Sequence, residues 1–103
     1  MLTYPAKLVA ERRFATMDFT AQLAQLGSGI TIASCVVSIA VTEGDDSNPS
    51  AVLDGGSVIN GNVVGQWIKG GVAGAFYILT WLATCSDGSV LERQRLLVVN
   101  AQW

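Results

Sequence analysis

The last third of the chain sets the tightest constraint on its fold. Ala75 to Cys85 and Val90 to Val99 are long apolar segments separated by Ser86-Asp87-Gly88, and the glycine-punctuated link Trp67 to Gly74 feeds the first of them. Two strand-length apolar runs joined by a tight turn read as one antiparallel hairpin. Its register follows from which residues must share a face. A three-residue turn, Asp87 to Ser89, sets Leu79 opposite Leu97, Tyr77 opposite Val99 and Trp81 opposite Arg95. That register gathers Tyr77, Leu79, Trp81, Ala83, Cys85, Leu91, Leu97 and Val99 on one face and leaves Thr80, Leu82, Thr84, Glu92 and Gln94 on the other. Arg93 and Arg95 intrude on the apolar face and are expected near a rim, with Arg95 across the Trp81 ring.

Upstream, short runs alternate with turn residues. Met17, Phe19, Ala21 and Leu23 alternate with Asp18, Thr20 and Gln22, which predicts a half-buried strand. Leu23 and Leu26 also suit a short helix, but Gly27-Ser28-Gly29 follows at once as a turn would, and the strand is preferred. Ile30 to Thr42 is rich in β-branched residues and predicts a strand with Ala33, Cys35, Val37, Ile39 and Val41 on one face. Glu43 to Ser50 is a loop of turn residues, and it lacks the glycine and glutamate that a calcium loop requires. Short strands are expected at Ala51 to Leu53, Ser57 to Ile59 and Val63 to Ile68, with a tight Asn-Gly hairpin at Asn60-Gly61-Asn62.

With 103 residues the chain is one domain, long enough to bury somewhat over ~60% of the surface its unfolded form exposes. About seven short strands at this spacing predict an all-β, immunoglobulin-like antiparallel β-sandwich over residues 16–103, preceded by an extended N-terminal arm over residues 1–15. Cys35 and Cys85 read as small buried hydrophobes. The alternative is a disulfide between facing sheets, since both lie where immunoglobulin-type domains bridge their second and sixth strands.

Only 14% of residues are charged and the net charge is −2. The basic residues are scattered apart from Arg12-Arg13 and the Arg93/Arg95 pair, so no footprint for nucleic acid is present. Residues 19–42 carry no charge, but Gln22, Gln25, Gly27 to Gly29 and several Ser and Thr break the stretch below what a membrane span needs. The N-terminus lacks the basic start and apolar run of a secretion signal, so synthesis and retention in a cytoplasm are expected.

Chemistry fails by absence. The chain has no His, the usual general base at neutral pH, and neither cysteine has a nearby basic residue in sequence to make a thiolate. The glycine clusters lack the Gly-Lys-Ser/Thr of a phosphate loop. No enzyme, cofactor or metal is expected. Trp67, Trp81 and Tyr77 lie within strands and are expected in the core. Tyr4 and Trp103 sit at the termini, where a monomer has little reason to place a large ring, and are interface candidates. Arg12, Arg13 and Phe14 join them, as the arm from Tyr4 to Phe14 is expected to order on a neighbouring subunit.

The order of residues carries a resemblance. Asp18-Phe19-Thr20 leading to Leu23, then Thr31-Ile32-Ala33-Ser34, then Trp67-Ile68-Lys69-Gly70-Gly71 with Ala73-Gly74 and Tyr77, and finally Glu92-Arg93 resemble the small immunoglobulin-like virion proteins of tailed bacteriophages, of the fibre-tail adaptor type. The likeness runs over about residues 16–99. It departs at Cys35 and Cys85, at Arg95 and in the loop Glu43 to Ser50. The resemblance implies a non-enzymatic virion protein made in the host cytoplasm, present in several copies in a ring, and wedged between tail or connector proteins and fibres. A capsid-decorating protein of the same fold is the alternative station. A carbohydrate-binding module is a third reading, and it requires Trp67 and Trp81 both to face outward.

Overall fold

The computed structural model describes residues 3–100. Its strands are β1 (Lys7–Leu8), β2 (Arg13–Asp18), β3 (Ile32–Glu43), β4 (Val58–Asn60), β5 (Val63–Ile68), β6 (Phe76–Cys85) and β7 (Val90–Asn100), with helix α1 (Thr20–Leu26) after β2 and a 3-10 turn at Pro49–Val52. They form a four-stranded sheet, β1-β7-β6-β3, and a three-stranded sheet, β2-β5-β4. The arrangement is the immunoglobulin-type sandwich, with the first strand moved onto the edge of the last. There β1 runs parallel to β7, one departure from an antiparallel pattern throughout.

The core lies between the sheets. Tyr77, Leu79, Trp81 and Ala83 of β6 are fully buried, as are Val99 of β7 and Val64 of β5. Burying each large apolar side chain contributes about 1.5–3 kcal/mol, so the β6 face is the main apolar contribution to stability.

The hairpin keeps the expected faces but not the expected pairs. Tyr77 stands opposite Leu97, Leu79 opposite Arg95 and Trp81 opposite Arg93. The turn is Ser86 to Gly88, because Cys85 N–H donates to Ser89 O at 2.7 Å. A slip of two residues preserves the parity on which burial depends, which is why both arrangements bury the same side chains. Arg95 lies over the Tyr4 ring, 4.1 Å from its centroid, rather than over Trp81.

Three local expectations are corrected. The strand expected from Met17 to Leu23 is β2 followed by α1. Asp18 accepts the Thr20 N–H at 2.8 Å, the segment is built of Ala, Gln and Leu, and the one-turn pair Phe19 and Leu23 is buried while Ala21 is exposed. The strand expected at Ala51 to Leu53 is the tail of the 3-10 turn, where Pro49 starts the coil, and Leu53 then makes an isolated bridge to Ile68. In β3 an irregularity between Ile32 and Ser34 turns Ala33 outward and puts Ile32 in the core instead. The tight hairpin is present, but Asn60 pairs with Val63, so the central residues are Gly61, at φ +62°, and Asn62. Glycine at the first of them fits a type II′ turn.

The cross-sheet disulfide is also corrected. Cys35 on β3 and Cys85 on β6 belong to neighbouring strands of one sheet, opposite Ala83 and Ile32 respectively, and both thiols are free.

The N-terminal arm does not wait for a neighbour. Tyr4 N–H donates to Leu96 O and Val9 N–H to Asn100 O, and Tyr4 is only 8% exposed. Lys7 is fully buried, and its ammonium donates to Leu8 O at 2.8 Å, Val9 O at 3.3 Å and Gly70 O at 2.7 Å. All three ammonium protons are thus accounted for, and the arm is tied to the Gly70-Gly71 corner. The acidic loop is tied down as well: Tyr77 Oη donates to Asp46 at 2.7 Å and accepts from Val72 N–H at 2.9 Å.

Burial pushes the Tyr4 hydroxyl up to about 12, with Arg95 opposing part of the rise. A tyrosine that ionises near 10 when unfolded therefore favours the folded state at lower pH and loses that contribution as pH climbs through about 12. Lys7 has its pKa lowered by burial and works in the opposite sense, so the comparison needs a variant. Tyr4→Phe is expected to flatten the alkaline fall in stability, by roughly 2–3 kcal/mol between pH 10 and 12, in urea titrations of both proteins.

Candidate docking surface

The outer face of the three-stranded sheet carries a preassembled aromatic and cationic cluster. On this face Phe14 stands opposite Trp67, and Thr16 opposite Gly65. Gly65 also stands opposite Val58 on its other side. The missing side chain at Gly65 is what seats Phe14: a Cβ there would lie 1.9 Å from the Phe14 ring tip. Glycine in a strand interior marks such a close approach.

Phe14 and Trp67 meet with ring centroids 4.8 Å apart and planes inclined at 53°, a tilted contact within the range favoured by aromatic pairs. The Arg12 guanidinium lies 3.9 Å from the Trp67 ring centroid and is held there by Asp54 at 2.6 Å. Arg12 in turn keeps the Asp54 carboxyl below the usual carboxylate range. Lys69 adds a longer ion pair to Asp54, at 3.9 Å. Beside the ring of Phe14 opens a cleft of about 390 Å³ floored by Gly65 and walled by Thr16, Val58 and Val63. Phe14 and Val58 are 44% and 50% exposed, so rings and cleft both face solvent.

The interface candidates separate into groups. Arg12 and Phe14 are brought together on this face. Arg13 points to the other side of β2, pairs with Glu11 at 2.8 Å, and lines a second cavity of about 340 Å³ with Tyr4, Pro5 and Leu97. Tyr4 serves the chain's own core, donating to Thr16 O at 3.1 Å, and is too buried to offer a ring to a partner. Trp103 lies outside the described residues. Trp67, expected in the core, is half-buried and belongs to the surface cluster.

Trp81 is fully buried, so the outward pair of Trp67 and Trp81 that a carbohydrate platform requires does not form. Burial raises the pKa of both cysteines and keeps them as thiols, the less reactive form. Among the described residues no group of three or more His, Cys, Asp or Glu comes together as a metal site, and no helix is long and apolar enough to cross a membrane.

With this geometry in place, comparison with known proteins identifies the family. The model of the podophage GP4 fiber-tail adaptor protein gp77 family matches residues 7–98, and the chain belongs to that family. No curated protein matches it.

Gly65→Ala tests the construction of the surface. The displaced group is an exposed ring rather than backbone, so the fold is expected to survive with a melting temperature within a few degrees of the parent. Phe14 is expected to swing off the sheet, and the nuclear Overhauser contact between its ring and Trp67 to disappear. Persistence of that contact would contradict the seating described.

Proposed function

We propose that this chain joins tail or connector proteins to fibres in the virion through protein-protein contacts, and that the Arg12, Phe14 and Trp67 face is one of its docking surfaces. Membership of the fibre-tail adaptor family supports the role as a structural tail component. The observation that carries the surface assignment is the seating of Phe14 on Gly65 beside Trp67, because it holds an exposed aromatic ring rigid before any partner arrives. Preorganised Trp, aromatic and Arg side chains dominate binding energy at interfaces, since little side-chain entropy remains to be lost on docking.

The mechanism is mechanical rather than chemical. A sandwich closed by the β6 face supplies stiffness, and the exposed faces and edges supply contacts. Several copies arranged in a ring around the tail, without enzymatic activity, complete the reading. The family match favours the tail over the shell as its station.

Deleting the gene from the phage that encodes this chain is expected to give particles with tails but without fibres. Adding back the purified protein is expected to restore fibre attachment, with Phe14→Ala at least about tenfold less effective. Fibre-bearing particles assembled without the protein would overturn the proposal. Particles that keep fibres but lose shell stability would move the chain to the capsid.

A further inference from the structure

The edge of β3 offers a second surface. This twelve-residue strand is the last in its sheet, and its polarity follows from β6. Cys85 N–H points to β7, donating to Ser89 O, so the odd-numbered residues of β6 bond to β7 and the even-numbered ones to β3. Val37, Ile39 and Val41 of β3 stand opposite odd-numbered Trp81, Leu79 and Tyr77, and therefore turn their N–H and C=O away from the sheet. Cys35 has the same polarity, and its C=O accepts from Ser57 Oγ at 2.7 Å on the outer side. For Val37, Ile39 and Val41 no partner for these groups occurs among the described residues.

Charge, proline and a mid-strand bulge, three of the protections common on edge strands, are missing here. Ile32 to Thr42 contains no charge and no proline. The register irregularities fall at the two ends, between Ile32 and Ser34 and between Val41 and Glu43, so the ladder from Ser34 to Val41 is unbroken. The 3-10 turn at Pro49–Val52 and β4 both pack beside the strand, and among the described residues neither makes a backbone hydrogen bond to Val37, Ile39 or Val41.

We infer that β3 pairs with β3 of a second copy, antiparallel about Ser38. A row of unpaired backbone donors and acceptors at ladder spacing is complementary to another extended backbone. The residues point to this chain as the source. About Ser38, Val37 of one copy stands opposite Ile39 of the other, and the two exchange both bonds. Val36 faces Ala40 and Ser38 faces its own counterpart. No like charges meet, because Glu43 falls opposite Ala33 of the second copy. The outer-face residues at the axis, Ser38 and Ala40, are small enough for the close Cα approach of a non-hydrogen-bonded pair. The interface is isologous and closes as a dimer, and it stands independently of the adaptor reading.

Sedimentation equilibrium of the purified full chain, from micromolar to near-millimolar concentration, is expected to show a reversible doubling of mass. Amide exchange followed by NMR over the same range is expected to slow at least about tenfold at Val37 and Ile39 and to stay unchanged at Leu79. Ile39→Pro removes an N–H that no bond within the chain uses, and edge strands tolerate proline at such positions, so this variant is expected to fold and remain monomeric. A monomer throughout, a dimer whose Val37 and Ile39 amides exchange freely, a folded proline variant that still dimerises, or protection of these amides already in the dilute monomer would each overturn the inference. Should the proline variant fail to fold, exchange in the parent chain decides alone.

Discussion

Lys7 is the interaction on which the rest of the architecture depends. Its ammonium is fully buried and gives its three protons to Leu8 O, Val9 O and Gly70 O. An isolated buried charge is strongly unfavourable, and one with every donor satisfied is tolerated. The contact converts an N-terminal segment into strand β1 on the edge of β7, and it clamps that strand to the corner that leads into β6. From there the chain turns at Glu11, whose carboxylate accepts the Leu8 N–H at 2.7 Å, and enters β2 with Arg12 and Phe14 on the outer face. The face proposed for docking thus follows in the chain from a contact made at the edge of the other sheet, where β1 lies on β7.

Two kinds of order coexist in the molecule. The interior is set by alternation along β6, whose inward residues from Tyr77 to Cys85 are at most 3% exposed. The exterior is set by pairs that reach across strands: Phe14 on Gly65, Arg12 on Trp67, and Tyr77 to Asp46. The first gives a stiff plate, and the second holds chosen groups at its surface. An adaptor needs both, because a docking residue on a soft support must be ordered at the moment of binding, which weakens the contact.

Much of the plate was legible in the sequence, and the reason is parity. Alternation assigns faces without fixing the register, so the buried side of the closing hairpin follows even though its pairs are shifted by two. The helix after Asp18 was less legible, because Met17, Phe19 and Leu23 satisfy a period of two as well as a one-turn contact, and the bond from Thr20 N–H to the Asp18 carboxylate decides between them. The arm was not legible at all. Its partner strand lies at the far end of the chain, and a lysine between Ala6 and Leu8 reads as a solvated side chain. A lone lysine within the otherwise apolar run Ala6 to Ala10 was the available signal. In the face proposed for docking, Arg12 and Phe14 were interface candidates in the sequence, but Trp67 and Gly65 join them only through the β2 to β5 register, which short strands do not announce. Asp46 was hidden for a similar reason, since a loop of turn residues gives no sign that one carboxylate reaches a core tyrosine.

The buried Lys7 ammonium makes the N-terminal segment part of the sandwich. Native-state amide exchange of Lys7→Met tests it most directly, because the substitution keeps an unbranched side chain while leaving three carbonyl acceptors without their donor. Protection of the Tyr4 and Val9 amides, which bond to β7, is expected to fall about thirtyfold, as for a loss of roughly 2 kcal/mol. The Leu79 amide, within the β6 to β7 ladder, is expected to lose no more protection than the change in global stability accounts for. Undiminished protection at Tyr4 and Val9 would mean that the segment is held without the Lys7 ammonium.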